Sequence, residues 1–487
     1  MAQEPAQGSR NLPLGHWAYE YIGRLRDRGY LANLNPLVQP YRRLEVAKGL
    51  SVLDPDTLNR AVREWVSLLR DELAPELLRL ARGSGGKVGV ELAVGGRVST
   101  SQRLDPLRPL GEEDAWPRFS AAGWLETGPL AAESRLAGDV YLTYDPDGVD
   151  PGQRRGGRTD NAYVSATFPF GGITVGRLKR NWSAIGTNGL MVSDVATPYP
   201  QLEFEAGVGR LTLRSFTGEL ETLGSSKRYL AAHRLDYQSR DFVASFGESF
   251  LYVPGEGQLA LRYLNPLEFF FFDADNQPTD HAVNLLLDAQ VWYRRGVTAF
   301  YFEWMLDDID VIPGARDPEP LLYAFRVGSR VSPRAGWFNL SLEYQQVAAF
   351  AYRTPNVVDR YSFLGRGLGE NYSDFDRLTL AADLFPRVRG LRISPTLALQ
   401  RQGEGNFRDS VPPMAEYLAS PTIFLGTAER TFRLGVRGRY QPNRYVWVSW
   451  DVGENFVENV GHVADMSERR FAAVVELGAA VPLGRRN

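Results

Sequence analysis

The sequence predicts a mainly β protein, a transmembrane antiparallel β-barrel of about 18 strands with a small N-terminal three-helix domain. Three observations carry this. From Lys87 onward, apolar and polar residues alternate with a period of two, segment after segment. Before that point the apolar period is helical. No apolar run reaches the roughly 18 residues that a membrane-spanning helix needs, so a bilayer would be crossed by strands.

The chain divides into 1–11, a flexible mature N-terminus, 12–86, a small helical domain and its linker, and 87–487, the barrel. The polar opening Ala2-Gln3-Glu4-Pro5-Ala6-Gln7 resembles a terminus exposed by removal of a signal peptide, which implies the bacterial outer membrane as destination. Trp17, Tyr21, Ile22 and Leu25 follow helical spacing until Gly29. A second helix is expected from Arg43 to Leu53. A third is expected from near Asp56 through Val62, Trp65, Leu69 and Leu73 towards Leu80. Trp17, Tyr21 and Trp65 read either as a binding face or as the core of the bundle. With contacts mostly internal and a hinge at Ser84-Gly85-Gly86, the bundle reads as separable from the barrel.

In the barrel region, Val297–Asp307 sets Phe300, Phe302 and Trp304 against Tyr301, Glu303 and Asp307. Thr431–Tyr440 sets Phe432, Leu434 and Val436 against Arg433, Arg437 and Arg439. About 19 such segments occur, and one of them is expected to drop out because bacterial barrels favour even strand numbers. Over residues 87–487 this allows about 22 residues for each strand and its connection. Tight turns are expected at Gly171-Gly172, Gly209, Gly296 and Pro442-Asn443. The stretches 144–159, 183–198, 267–281, 350–373 and 403–429 read as outer loops or plugs. Aromatics near strand ends suit interfacial girdles in lipid.

A formal charge of −3 gives no case for a nucleic-acid partner. The chain has no cysteine, which excludes disulfides and thiolate chemistry. Neither an H-E-x-x-H nor a G-x-S-x-G motif is present, so no cofactor and no enzymatic activity are expected. Positive charge is almost all arginine, the lysines being Lys48, Lys87, Lys179 and Lys227. Guanidinium forks suit carboxylates and sugar hydroxyls.

Two stretches carry a family resemblance. The leader GHWAYEYIGRLRDRGYL…NPLVQPYRRLEVAKGL resembles an S-layer-homology-like unit and the helical N-terminus of Wzi-type capsule-assembly proteins. The run from Gly176-Arg177 through Asn181-Trp182 to Gly186–Asp194 is similar to a Gly-Arg, Trp and Gly-rich-loop segment of Wzi-family barrels. So are Arg262–Leu267 and Tyr301–Asp308 to that family's Asn-Pro-Leu and Glu…Asp-Asp segments. The C-terminus, Leu483-Gly484-Arg485-Arg486-Asn487, departs from a terminal aromatic. The resemblance implies a non-catalytic, lectin-like outer-membrane barrel that binds or organises surface polysaccharide.

The candidate polysaccharide residues, on lumen or rim, are Arg433, Arg437, Arg439, Trp447, Tyr445, Arg177, Trp182, Arg326 and Arg330. The arginines could equally form a structural salt-bridge ladder. Glu303, Asp307, Asp308 and Asp310 form an acidic cluster that reads as a cation site or as a solvated strand end. The partners expected are outer-membrane lipid, surface polysaccharide and, through residues 12–82, peptidoglycan or another cell-wall polymer. The alternative function is a diffusion porin tethered to the cell wall by the leader.

Overall fold

The computed structural model describes residues 6–83, 85–148, 157–254, 259–275, 283–307 and 322–483. Alternation becomes one closed antiparallel sheet. Its first nine strands are β1 (Lys87–Ser99), β2 (Asp114–Thr127), β3 (Leu130–Asp139), β4 (Gly157–Phe168), β5 (Gly171–Leu178), β6 (Tyr199–Val208), β7 (Leu211–Glu219), β8 (Tyr229–Gln238) and β9 (Phe242–Tyr252). There follow β10 (Val283–Arg295), β11 (Thr298–Asp307), β12 (Leu322–Val331) and β13 (Phe338–Val347). A two-stranded hairpin, β14 (Ser362–Phe363) and β15 (Arg366–Gly367), lies apart from the wall. The wall resumes with β16 (Phe375–Leu384), β17 (Leu391–Gln402), β18 (Glu429–Tyr440), β19 (Val446–Glu458) and β20 (Ser467–Leu483). Each wall strand pairs with its neighbour and β20 pairs with β1, which closes an 18-stranded sheet. Closure leaves no unpaired edge, as lipid requires.

The side chains turn as the alternation predicts. Phe300, Phe302 and Trp304 are 47%, 40% and 39% exposed, whereas Tyr301, Glu303 and Asp307 are buried. A water-soluble barrel would bury the apolar set, so this wall faces lipid. The supernumerary predicted segment, 257–266, is not a strand: its described part holds a 3-10 turn at Leu261–Leu264. Connections such as Gly128-Pro129 and Gly209-Arg210 are short and gather at one end, while 179–198 and 348–374 are long and start from the other. In such barrels the short turns are periplasmic and the long loops extracellular.

The leader folds as four helices: α1 (Ala18–Asp27), α2 (Arg43–Ser51), α3 (Arg60–Glu72) and α4 (Ala74–Arg82). The predicted third helix starts late, where the Asn59 side chain accepts the Val62 N–H at 3.0 Å, and breaks at Leu73. Pro75 has no N–H to give to the Asp71 carbonyl, so α3 cannot run on through it, and the proline sits in the first turn of α4 instead. Trp17, Tyr21 and Trp65 are core, with Tyr21 and Trp65 rings 6.2 Å apart.

The bundle expected to make mostly internal contacts is also paired with the barrel wall. It fills the periplasmic mouth, where inward-facing strand residues meet it: Arg24 pairs with Asp383, Glu20 with Arg392 at 3.0 Å, and Arg79 with Glu126 at 3.5 Å. Residues 6–11, expected to be flexible, are also tied to the barrel. The Gly8 N–H donates to the Gly128 carbonyl at 2.8 Å, the Arg10 N–H to Glu126 at 2.8 Å, and the Asn11 N–H to the Tyr163 hydroxyl at 2.8 Å. A Cβ at position 8 would lie 2.4 Å from the Pro129 carbonyl oxygen, so the approach requires glycine. The connection 31–41 reaches deeper and meets loop 179–198 coming from the other end. Gln39 and Asn181 exchange backbone hydrogen bonds of 2.9 and 3.0 Å, and Ile185 N–H donates to the Pro36 carbonyl at 3.1 Å. Loop 348–374 packs in beside them through Tyr352, Tyr361 and Leu368.

Two outcomes test this arrangement. Phe302→Arg is expected to destabilise the barrel by about 2–4 kcal/mol, read from reversible unfolding in lipid, if position 302 lies near the bilayer midplane. Removal of residues 1–82 is expected to free loop 179–198, so that limited trypsinolysis cuts after Lys179 or Arg180 in the truncated protein and not in the full chain. Equal resistance would show that the loop holds its place without the leader.

Candidate functional site

Five inter-strand connections meet at the extracellular mouth around a cleft of about 460 Å³, contributing residues 103–110, 146–147, 372–373, 403–408 and 461–462. Loop 100–113 is held by its own turns: Asp105 accepts the Leu107 N–H at 3.0 Å, and the Ser101 hydroxyl donates to the Leu110 carbonyl at 2.9 Å. Asp374 ties loop 348–374 to loop 403–428 by accepting the Gly405 and Leu425 N–H groups at 2.8 and 3.0 Å. The loops bring together Arg103, Arg108, Tyr372, Gln402, Asn406 and Arg408, with His462 and Arg470 on the far wall.

The Arg108 guanidinium stacks 4.1 Å from the centre of the Tyr372 ring and donates to Gln402 at 3.0 and 2.6 Å. Asp105 pairs with Arg108 at 2.6 Å and with Arg377 at 3.0 Å. Burial alone would raise the Asp105 carboxyl, but Arg377 and Arg108 override it and hold it well below the usual carboxylate range. Burial pushes the Tyr372 hydroxyl up, with Asp105 and Asp147 adding to it, so it stays protonated. Asp147 takes Arg103 at 3.1 Å. Arg408 differs: it donates to the Gly365 carbonyl at 3.1 and 3.0 Å and to Asn371 at 3.1 Å, all neutral acceptors. Its charge therefore faces the cleft uncompensated by a carboxylate contact. The cleft thus offers arginine forks, one aromatic face and neutral hydrogen-bonding groups, and its carboxylates are engaged, Asp147 by Arg103, Glu404 by the Thr427 N–H and Glu429 by the Gly461 N–H, a combination that can hold the carboxylate and hydroxyl groups of a sugar.

None of the nine predicted polysaccharide residues lines this cleft. Arg326 is buried against Glu303 at 3.1 Å and donates to the Asn188 carbonyl at 2.5 Å, so it holds loop 179–198. Arg330 donates to the Ile185 carbonyl at 2.7 Å and does the same. Trp182 is part of the plug core, its ring 5.3 Å from Phe216. Arg433 is buried with Asp451 at 2.8 Å and with Asn455, which in turn donates to the Pro106 carbonyl, so it braces the cleft from below. Arg439 stacks 5.0 Å from Trp447, but this pair and Tyr445 lie at the periplasmic end. Arg437 is exposed on the same inward parity, and Arg177 shares the outward parity of Ile173 and Val175. The ladder reading thus describes Arg326 and Arg433.

The acidic cluster is likewise not a cation shell among the described residues. Glu303 accepts from Arg326 and from the Ser183 hydroxyl and Leu190 N–H, while Asp307 accepts the Tyr352 N–H. Asp308 and Asp310 lie outside the described residues. Sequence reasoning missed the cleft because its residues are scattered over five inter-strand connections without spacing. The available signal was the pair of long stretches 350–373 and 403–429, which hold Tyr372, Asn406 and Arg408.

A depressed Asp105 pKa means its ionised form stabilises the fold above the unfolded value of about 3.9, and that this is lost as pH falls through and below that range. Asp105→Asn is expected to cost about 3 kcal/mol at neutral pH, since it leaves Arg108 and Arg377 unpaired. Thermal unfolding against pH should show the two proteins converging in acid. A constant gap would remove Asp105 from this role.

No known family and no curated protein matches the sequence. Among solved structures, the chain is similar to Wzi of Escherichia coli, described as a carbohydrate-binding β-barrel of the outer membrane involved in group 1 capsule assembly. The TM-score is 0.66 at 14% identity, covering 99% of this chain and 100% of that one. Pseudomonas aeruginosa OpdO matches with a TM-score of 0.46 at 12% identity, covering 82% of this chain and 97% of that one. By fold, then, this chain is similar to Wzi from the leader helices to the last strand.

Proposed function

We propose that this protein is a non-catalytic outer-membrane lectin that binds an anionic surface polysaccharide at its extracellular mouth. The observation that carries the reading is the cleft itself, in which Arg408 presents a charge without a carboxylate partner beside the Arg108–Tyr372 stack. The carbohydrate binding described for Wzi supports it. A bundle in one mouth and two loops in the lumen favour a plugged barrel over the tethered diffusion porin. The leader's aromatic residues are core, so nothing in its geometry favours a cell-wall tether.

A solvent-exposed arginine contact is individually weak, and affinity for a polymer accumulates over repeats. Arg408→Gln and Arg470→Gln are each expected to reduce affinity for a uronic-acid oligosaccharide about threefold. The double variant should lose retention of the native polysaccharide. Binding should also weaken with added salt. Equal retention by a folded double variant would remove the cleft from the function. A steady open current in planar bilayers would favour the porin.

A further inference from the structure

A second concave surface lies on the outside of the barrel, a groove of about 950 Å³ towards the extracellular ends of β16–β20. Its floor follows from strand register. Leu378, Leu399, Phe432 and Phe456 are successive cross-strand partners on the outward face, so they form one continuous apolar row. The Phe432 and Phe456 rings stack at 6.0 Å. One outward position closer to the loops, the register aligns Asp376, Arg401, Arg430 and Glu458. A row of hydrocarbon is thus capped by a row of charge, at the level where acyl chains give way to headgroups in the extracellular leaflet.

The row holds two carboxylates and two guanidinium groups, but among the described residues only Arg401 and Asp376 close an ion pair within it. Arg401 sits on Asp376, Nε to Oδ1 at 3.0 Å, and stacks 4.5 Å from the Phe424 ring. The Tyr344 hydroxyl also donates to Asp376, at 3.0 Å. Arg469, at the end of the apolar row, lies 3.5 Å from Glu454 and is 71% exposed. Glu468 is taken by Arg470 at 2.9 Å. Arg430 has Arg401 as one cross-strand partner and Glu458 as the other, yet among the described residues it makes no ion pair. Two arginines directly opposite one another on a sheet repel unless an anion lies between them.

We infer that this groove binds a phosphorylated, multiply acylated lipid of the extracellular leaflet. Its chains lie along Leu378, Leu399, Phe432 and Phe456, and a headgroup phosphate sits at Arg430 beside Arg401, with Arg469 two strands away at the end of the apolar row. Phosphate accepts from several guanidinium donors at once, which relieves the Arg401–Arg430 opposition. This site faces outward and is independent of the polysaccharide cleft.

The test is binding of bis-phosphorylated lipid A to the full-length protein in detergent, read by native mass spectrometry. Dephosphorylated lipid A and inorganic phosphate serve as separate arms. Wild type should retain the phosphorylated lipid through delipidation. Arg430→Gln combined with Arg469→Gln should bind it about tenfold more weakly. Phe432→Ala should weaken both lipid forms alike, and phosphate alone should not bind. Heat-modifiable migration establishes that each variant is folded. Equal binding of the two lipid forms by wild type, or an unchanged affinity in folded Arg430→Gln/Arg469→Gln, would overturn the site and leave ordinary boundary lipid.

Discussion

The lumen of an 18-stranded barrel is too wide for its own side chains to fill, and here the inward face is rich in charge. Everything else follows from satisfying that face. A buried charge needs an opposite charge and hydrogen bonds, since an unpaired one in a low-dielectric interior costs several kcal/mol. Part of the pairing is strand to strand, as between Glu303 and Arg326. The rest is supplied from outside the wall, by the leader from below and by loops 179–198 and 348–374 from above.

These fillers are themselves mutually dependent. The Gln39–Asn181 backbone exchange and the Ile185–Pro36 hydrogen bond join segments that enter from opposite ends. Glu303 shows the economy of the design: one carboxylate accepts from the wall through Arg326 and from the loop through Ser183 and Leu190. Polar groups on three elements are satisfied together, so none of the three has a stable alternative position. The result is a lumen in which leader, loops and wall are tied to one another by hydrogen bonds.

At that rim the same logic yields a surface that can bind. Arg433 and Asn455 brace loop 100–113 from within, and Asp374 fastens loop 403–428 to loop 348–374. Arg103 and Arg108 are then held by Asp147 and Asp105, which fixes the cleft walls, while Arg408 is held only by neutral acceptors. The cleft walls are thus positioned by neutralised arginines, and Arg408 is the cleft arginine held without a carboxylate contact.

The sequence by itself determined the barrel, its strand alternation and its lipid-facing residues, because a period of two is a local property that the pleat converts directly into two faces. It also marked the helical leader, and the core role of Trp17, Tyr21 and Trp65. It misjudged how those helices are used. Arg24, Glu20 and Arg79 look like solvated helix charges in sequence, and only the closed wall brings Asp383, Arg392 and Glu126 to them. The predicted Arg face of β18 was right in direction and wrong in depth: Arg433 and Arg439 share a parity, but one braces the outer loops and the other lies beside the leader. Parity says which way a side chain points. Where it stands along the barrel, and whether a carboxylate from a distant loop already occupies it, depends on strand register and loop entry, and those are set by tertiary structure alone.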